Sequence, residues 1–431
     1  MHHLRTLAVD TTALAAGRLA RGAVRRVLHR GGSAIPGRVA DAIAPRMLSR
    51  LLGQFDEGLV VVSGSSGKST TTMMLAAVLR AHGLSVFTND STANLRRGIS
   101  SALVEKADAF GRIRADIAVV EIDEAAAASL VGEIEPRLVV LTNVMSDQLD
   151  RFQSAQRVAG MLDRVAHTAT GGVVANHDDR LLGAIVDGLT TPVSWFASRP
   201  AIRAAHAHGT GNGLGYASEN SGPRDDLRPI TLLDAVDDRS AVLVVRGEPL
   251  EIALPARGAH YAMDAAAAVE AAAALLGGRF DASAVARAFE GMQPVFGRGE
   301  VVTVGGEEVE LVLVQNRSSF QLNLDLLDPR PEQLLVAVGS DVRDPSWLWS
   351  VDPTALGHVD MVSGSKAHDI ALRLAYAGVE IGEVEPDLAG ALAAFLALPS
   401  PTRGRKTIVF TADPMRRVRR QLGLDREADA A

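Results

Sequence analysis

Apolar and polar positions along this 431-residue chain follow two alternating periods. Short unbroken apolar runs predict buried strands at 59–63, 84–88, 117–121, 137–142 and 172–176. Between them, apolar residues recur every three or four positions and predict amphipathic helices at about 69–82, 94–107, 124–132 and 155–168. This alternation predicts a parallel, doubly wound sheet with ligand sites at the carboxyl ends of its strands. Residues 198–228 break the rhythm with His, Gly, Asn and Ser and are expected to form a surface insertion. Strand patterns return at 230–233, 241–245 and 250–254, followed by an alanine-rich helix at 259–276. Gly291 to Gly297 reads as a hinge. Beyond it lies a second α/β unit, with strands near 309–314, 334–338, 358–363 and 407–410 and helices near 320–328, 366–377 and 388–396. At the other end, 30–37 reads as a turn before a helix at 38–52. The expected organisation is a basic helical leader (1–52), a central domain (53–292) and a C-terminal α/β domain (293–431).

The first strand is where pattern becomes chemistry. Val60-Val-Val-Ser63 runs into Gly64-Ser65-Ser66-Gly67-Lys68-Ser69-Thr70, and a helical pattern (Met73, Met74, Leu75, Val78, Leu79) follows. Glycines let backbone N–H groups approach an anion, and a helix N-terminus adds positive potential. Lys68 neutralises phosphate charge and Ser69 can hold Mg²⁺. This is the short Gly-x-x-Gly-Lys-Ser form, because Val62 stands where the longer consensus has its first glycine. A plain Gly/Ser turn is the bland alternative. Lysine usage argues against it: the chain has only Lys68, Lys106, Lys366 and Lys406 beside forty arginines.

Composition narrows the rest. With 47% hydrophobic residues and this length, two or three folded domains are expected. No cysteine occurs, which excludes disulfides, thiolate zinc sites and cysteine nucleophiles. No secretory segment or apolar run of membrane-spanning length is visible, so a cytoplasmic protein is expected. The net charge of −7 is uneven, since residues 1–50 carry nine Arg against two Asp. Arg18 to Arg30, with Leu19, Val24, Val27 and Leu28 interleaved, reads as a basic amphipathic helix. Contact with an anionic membrane surface and packing on the next domain are both open for it. No nucleic-acid partner is expected.

Acids follow a buried strand at Val119-Val-Glu121-Ile-Asp123-Glu124, facing the phosphate loop across the sheet. Glu121 is the candidate to bind the Mg²⁺ that bridges nucleotide phosphates. Further polar clusters stand at Thr142-Asn143 through Arg151, at Asn176-His-Asp-Asp179 and at Phe296-Gly-Arg298-Gly-Glu300. His206 and His208 make only a weak metal signal, and no Ser-His-Asp arrangement is visible.

Taken together, these segments resemble the Mur ligase superfamily over nearly the whole chain, and more closely its MurT-type branch. The resemblance is carried by Arg30-Gly-Gly-Ser-x-x-Pro-Gly37, the phosphate loop, Asn94-Leu-Arg-Arg-Gly98 and Glu121-Ile-Asp-Glu-Ala125. It continues in Asp147-Gln148-Leu-Asp-Arg151, Phe296-Gly-Arg-Gly-Glu300, Asp344-Pro-Ser-Trp-Leu-Trp349 and Val362-Ser-Gly-Ser-Lys-Ala-His-Asp-Ile-Ala-Leu-Arg-Leu374. Gln148 separates the branch from ordinary Mur peptide ligases, which typically have His there. The implied fold is α/β, a Mur-ligase-like P-loop central domain with a parallel sheet plus a C-terminal Rossmann-like domain. The implied activity is ATP- and Mg²⁺-dependent phosphorylation of the α-carboxylate of D-glutamate in the lipid II stem peptide. Ammonia from a GatD-type glutaminase partner, docked on the C-terminal domain, then displaces the phosphate.

On that resemblance Lys68, Glu121, Arg298 and Asp344 are the catalytic candidates, with Asp344 orienting the partner's catalytic His. Gly64 to Thr70, Asn176, Tyr261, Asp264 and Arg298 are the nucleotide-binding candidates, and Ser69 and Glu121 the Mg²⁺ ligands. Trp347 and Trp349 read equally as partner anchors or core aromatics. The chain also departs from the family. The usual four-cysteine zinc ribbon is absent, and no zinc site is expected. Tyr261 and Asp264 replace both asparagines of the adenine-side Gly-x-x-Asn-x-x-Asn, and Asn316-Arg-Ser-Ser-Phe-Gln321 replaces Asn-Pro-x-Gly-x-Asn. No lysine lies between Lys106 and Lys366 to be carbamylated, which disfavours an ordinary amino-acid-adding ligase. Two rival readings share these residues: a paralogue that amidates or ligates a different carboxylate, and a non-catalytic subunit that still binds a glutaminase.

Overall fold

A computed structural model describes residues 2–28, 34–89, 94–145, 154–186, 188–205, 231–237, 239–293, 298–325, 327 and 331–424. Two compact units result. One gathers the described residues through Met292 except Pro255–Gly258, and the other comprises Pro255–Gly258 and the chain from Gln293.

The first unit opens with helix α1 (His2–Leu28), α2 (Ile35–Ile43) and α3 (Met47–Leu52). The single helix expected at 38–52 is therefore two. Pro45 disfavours helical backbone at Ala44, which lies at φ −131° and ψ 78° and ends α2. The strands are β1 (Leu59–Ser63), β2 (Val86–Phe87), β3 (Ile117–Glu121), β4 (Leu138–Leu141), β5 (Gly172–Asn176), β6 (Val193–Ser198), β7 (Thr231–Asp237), β8 (Ser240–Val245) and β9 (Glu248–Ala253). They form one sheet in the order β2-β3-β1-β4-β5-β6-β7-β8-β9. The helices between them are α4 (Lys68–Ala81), α5 (Arg96–Lys106), α6 (Glu124–Ser129), α7 (Ala155–Ala166), α8 (Arg180–Val186) and α9 (Pro200–Ala205), with α10 (Ala259–Leu276) and α11 (Ala282–Glu290) after β9.

Pairing is parallel from β2 to β7, the expected parallel sheet, and turns antiparallel through β7, β8 and β9 at its far edge. The β8–β9 turn is Arg246-Gly247, both at positive φ (52° and 93°), as a two-residue hairpin turn demands. β1, β3, β4 and β5 are buried at every position, as strands covered on both faces must be. α10 is buried nearly all round. Its alanines let it lie close to α4 and the sheet. Of the expected insertion, 198–205 belong to the end of β6 and to α9, and 206–228 lie outside the described residues.

The second unit is a six-stranded sheet in the order β10 (Arg298–Val304), β11 (Glu307–Leu313), β15 (Lys406–Phe410), β12 (Gln333–Ala337), β13 (His358–Ser363), β14 (Glu380–Glu385). It is parallel apart from the β10–β11 hairpin, which turns at Gly305-Gly306. Its helices are α12 (Arg317–Asp325), α13 (Ala367–Tyr376), α14 (Leu388–Leu396) and α15 (Ala412–Gln421). Two apolar clusters, one on Phe320, Leu348 and Leu374 and one on Phe395, Phe410 and Val418, hold them.

Candidate active site

The site grows from the carboxyl end of β1. The Ser63 hydroxyl donates to Ile122 O at 2.9 Å, tying β1 to the chain just beyond β3. The backbone then turns through Gly64 (φ 134°) and Gly67 (φ 80°). A Cβ at Gly64 would strike the Thr142 hydroxyl and the Asn143 backbone, and one at Gly67 would strike the Asp264 carboxylate. Conformation and space both require glycine here. The end of β4 clamps the loop in place. Ser65 N donates to Asn143 O (2.9 Å), Ser66 N donates to Asn143 Oδ1 (2.9 Å), and the Thr142 hydroxyl donates to Ser66 O (2.6 Å). The Ser65 hydroxyl in turn accepts from Met145 N at 2.9 Å. α4 begins at Lys68, so its first-turn N–H groups stand at the strand end, where an anion is favoured.

Lys68 is 9% exposed and folded back on its own loop. Its Nζ donates to Gly64 O and to Ser65 O (3.2 Å) and stands 3.6 Å from Glu124 Oε2. Glu124, the first residue of α6, is fully buried. Asp123 is that helix's N-cap, accepting from Ala125 N at 3.2 Å. Glu121 ends β3 under tight control. Asn89 bridges its backbone, accepting from Glu121 N and donating to Glu121 O at 2.9 Å each, and Asn94 Nδ2 donates to Glu121 Oε1 at 3.0 Å. The other oxygen, Oε2, is buried with no hydrogen-bond partner among the described residues.

That orphaned oxygen and the hydroxyl of buried Ser69 are each a hard-oxygen donor of the kind Mg²⁺ uses. Among the described residues no group of three or more acidic or histidine side chains is placed to hold a metal alone. A few protein oxygens completed by nucleotide phosphates and water are characteristic of Mg²⁺. The residues fit the ion.

Asn176 and Asp179 stand one layer behind the clamp. Asn176 Nδ2 donates to Thr142 O (3.1 Å) while its Oδ1 accepts from Asp178 N (3.0 Å). Asp179 accepts from Val144 N at 2.7 Å and from Leu181 N at 2.9 Å. Burial pushes the Asp179 carboxyl up to about 6. Burial also raises Asp178, which pairs with Arg203 at 2.7 Å. Tyr261 and Asp264 lie on the first turns of α10. Tyr261 is buried with its ring 4.3 Å from that of His260, and the Asp264 carboxylate lies against Gly67.

In the second unit Asp344 is exposed at the start of a 3-10 turn, Pro345–Ser350, and accepts from Ser346 N at 2.9 Å. The Ser346 hydrogen bonds hold its carboxyl below the usual range. Trp347 packs edge-on against Phe320 and the core, whereas Trp349 is half exposed and meets Tyr376 at 5.4 Å between ring centres. Arg298 opens β10, and its side chain lies outside the described residues, as do Asp147–Arg151, Phe296-Gly297, Gly31–Ser33, His206 and His208.

The first unit thus brings together the Gly64–Thr70 loop, Glu121 and Asp264. Sequence reasoning passed over Asn89, whose only signal is its place just after β2, and gave Glu124 no role of its own beside Glu121. Two of the leader's arginines, Arg18 and Arg21, are engaged in packing. Arg18 donates to Val104 O and Asp108 O at 3.2 Å, and Arg21 pairs with Glu105 at 2.6 Å. Among the described residues no helix is long and apolar enough to cross a membrane.

A Gly-x-x-Gly-Lys-Ser loop beside a strand-end glutamate has the form of a nucleotide-binding fold, and the comparisons name the family as one of ligases. Residues 62–272 match the Mur ligase middle domain, and 313–411 match the MurT ligase C-terminal domain. The fold is similar to that of MurF ligase from Thermotoga maritima in complex with ADP, with a TM-score of 0.63 at 19% identity over 91% of this chain and 85% of that one. It is likewise similar to Mycobacterium tuberculosis folylpolyglutamate synthase, with a TM-score of 0.61 at 17% identity over 88% and 95%. The MurT subunit of lipid II isoglutaminyl synthase (glutamine-hydrolyzing) from Streptococcus pneumoniae is 30% identical over 403 residues, 85% of this chain and 87% of that protein. The same subunit from Staphylococcus aureus strain COL is 31% identical over 200 residues, 46% of this chain and 42% of that one. The chain belongs to the MurT family of the Mur ligases.

Proposed function

We propose that this chain is the ATP-dependent synthetase subunit of a lipid II isoglutaminyl synthase. The observation that carries the reading is the clamped Gly64–Ser69 loop beside the strand-end Glu121 with its orphaned oxygen, in a chain 30% identical to a MurT subunit over 85% of its length. A carboxylate resists attack by ammonia and must first be activated. One oxygen of the D-glutamate α-carboxylate attacks the γ-phosphorus of ATP and ADP departs. Ammonia then attacks the acyl carbon, loses a proton, and phosphate leaves with that carboxylate oxygen.

Charge on the transferring group has to be met by fixed cations. Lys68 meets it from the loop, and Arg298 is assigned the same task from β10. Ser69 and Glu121 are assigned to hold Mg²⁺, which supplies charge neutralisation at the phosphates when bound. Tyr261 and Asp264 are assigned to the nucleotide as well, and Asn176 supports it through Thr142. The word "subunit" in the relatives' names supports a second chain. We assign it as a GatD-type glutaminase that delivers ammonia, with the exposed Asp344 orienting its catalytic His and the Trp349–Tyr376 pair as an aromatic anchor. Lipid II would be met at the inner membrane face, where residues 1–50 are positively charged.

Mass spectrometry of lipid II incubated with the chain, ATP, Mg²⁺ and ammonium tests this without any glutaminase. Conversion of the carboxylate to the amide is expected. ATP consumption without amidation would mean a different acceptor.

A further inference from the structure

Glu124 is buried and stands 3.6 Å from the one lysine of the phosphate loop. Lys68 itself does not point outward to an anion; its Nζ is taken up by Gly64 O, Ser65 O and the Glu124 carboxylate. Any phosphate that recruits Lys68 must draw Nζ from that carboxylate. A carboxylate left inside the protein after losing a cation is costly, because water cannot resolvate it. Two more acids crowd the same strand ends: Glu121 with its orphaned Oε2, and Asp264 against Gly67. Among the described side chains, three carboxylates (Glu121, Glu124 and Asp264) gather at these strand ends beside one lysine, which opposes a bare polyphosphate. A divalent cation at Ser69 and Glu121 would replace the charge that Lys68 takes away.

We infer that Glu124 is a positioning residue that couples release of Lys68 to arrival of the divalent cation, so that the site accepts nucleotide with metal and rejects it without. This deepens the proposed function and rests on its assignment of the loop as a nucleotide site.

The test is calorimetric titration of ADP into the full chain, once with excess Mg²⁺ and once with EDTA, for the natural chain and Glu124→Gln. The ratio of the two affinities is the quantity read. The natural chain should show a large ratio. Glu124→Gln keeps the shape and removes the charge, so its ratio should fall about ten-fold, chiefly through tighter metal-free binding. An unchanged ratio, or equal weakening in both conditions, overturns the inference while leaving the nucleotide site standing. No ADP binding by the natural chain under either condition overturns both. A second arm reads thermal melting and needs no nucleotide. Lys68→Met leaves Glu124 buried without its cation and should lower the melting temperature, and adding Glu124→Gln to it should restore most of the loss. A double variant no more stable than Lys68→Met would contradict the pairing.

Discussion

The two chemically marked regions of this molecule are built in opposite ways. In the first unit, Gly64–Ser69 is buried apart from the half-buried Ser66 and Gly67 and is hydrogen-bonded from a neighbouring strand end, with Asn143, Thr142, Asn176 and Asp179 in successive layers behind it. In the second, Asp344 is exposed and held by the turn it caps, beside a half-exposed tryptophan. A group that must meet developing charge benefits from a rigid, dry setting, because fixed dipoles then need no rearrangement. A group that serves another chain must remain at the surface until that chain arrives. The difference teaches that the first region is braced from within its own unit for the chemistry proposed for it, whereas the second is left open at the surface for the partner proposed for it.

The sharpest way to break this contrast is Lys68→Ala. It deletes the loop's cation and should lower ATP turnover about a thousand-fold or more with the circular dichroism spectrum unchanged. Retained turnover would remove the loop from the chemistry. Gly64→Ala comes next. Its Cβ would run into Thr142 and Asn143 at a backbone angle glycine alone adopts readily, so a loss of about 2–3 kcal/mol in denaturant unfolding is expected, along with nucleotide binding.

Asp179 tests the bracing layer through pH. With its carboxyl raised to about 6 by burial, the folded chain keeps a proton there between about pH 4 and 6 while the unfolded chain has released it. Stability from this group is therefore full at low pH and falls as pH rises through 6, by up to about 3 kcal/mol. Asp179→Asn does not titrate, so its stability relative to the natural chain should climb between pH 4 and 7. Parallel curves from urea melts would contradict the burial argument.

The smallest structural effect belongs to Asp344→Asn, since asparagine caps as well as aspartate and the urea unfolding midpoint should stay where it is. Its functional signature is selective: glutamine-driven amidation should drop sharply while ammonium-driven amidation persists. Equal loss with both nitrogen sources would move Asp344 into the synthetase site.

Much of this is legible in the amino-acid sequence itself. β1, β3 and β5 announce themselves because burial on both faces leaves no competing pattern, and α10 because of its long alanine run. β14 escaped because Glu380-Ile-Gly-Glu-Val-Glu385 is an edge strand whose charges discourage further pairing, so it lacks the apolar run of a central strand. α2 and α3 read as one helix because periodicity runs through Pro45 even though the backbone does not. At the site, the loop and Glu121 were visible as motifs. The clamp was not, because Asn143 meets Ser66 and Asn89 meets Glu121 only once parallel strands set their ends side by side. Glu124 was visible as a letter, but its partner was not.

Isotope transfer tests the central claim most directly. Lipid II bearing ¹⁸O in its D-glutamate carboxyl groups would be incubated with the chain, ATP, Mg²⁺ and ammonium, and both products weighed. One labelled oxygen should appear in inorganic phosphate for each amide formed, because phosphate leaves with the carboxylate oxygen that attacked it. Amide formed with unlabelled phosphate, or phosphate released with no amide, would contradict carboxylate activation by this chain.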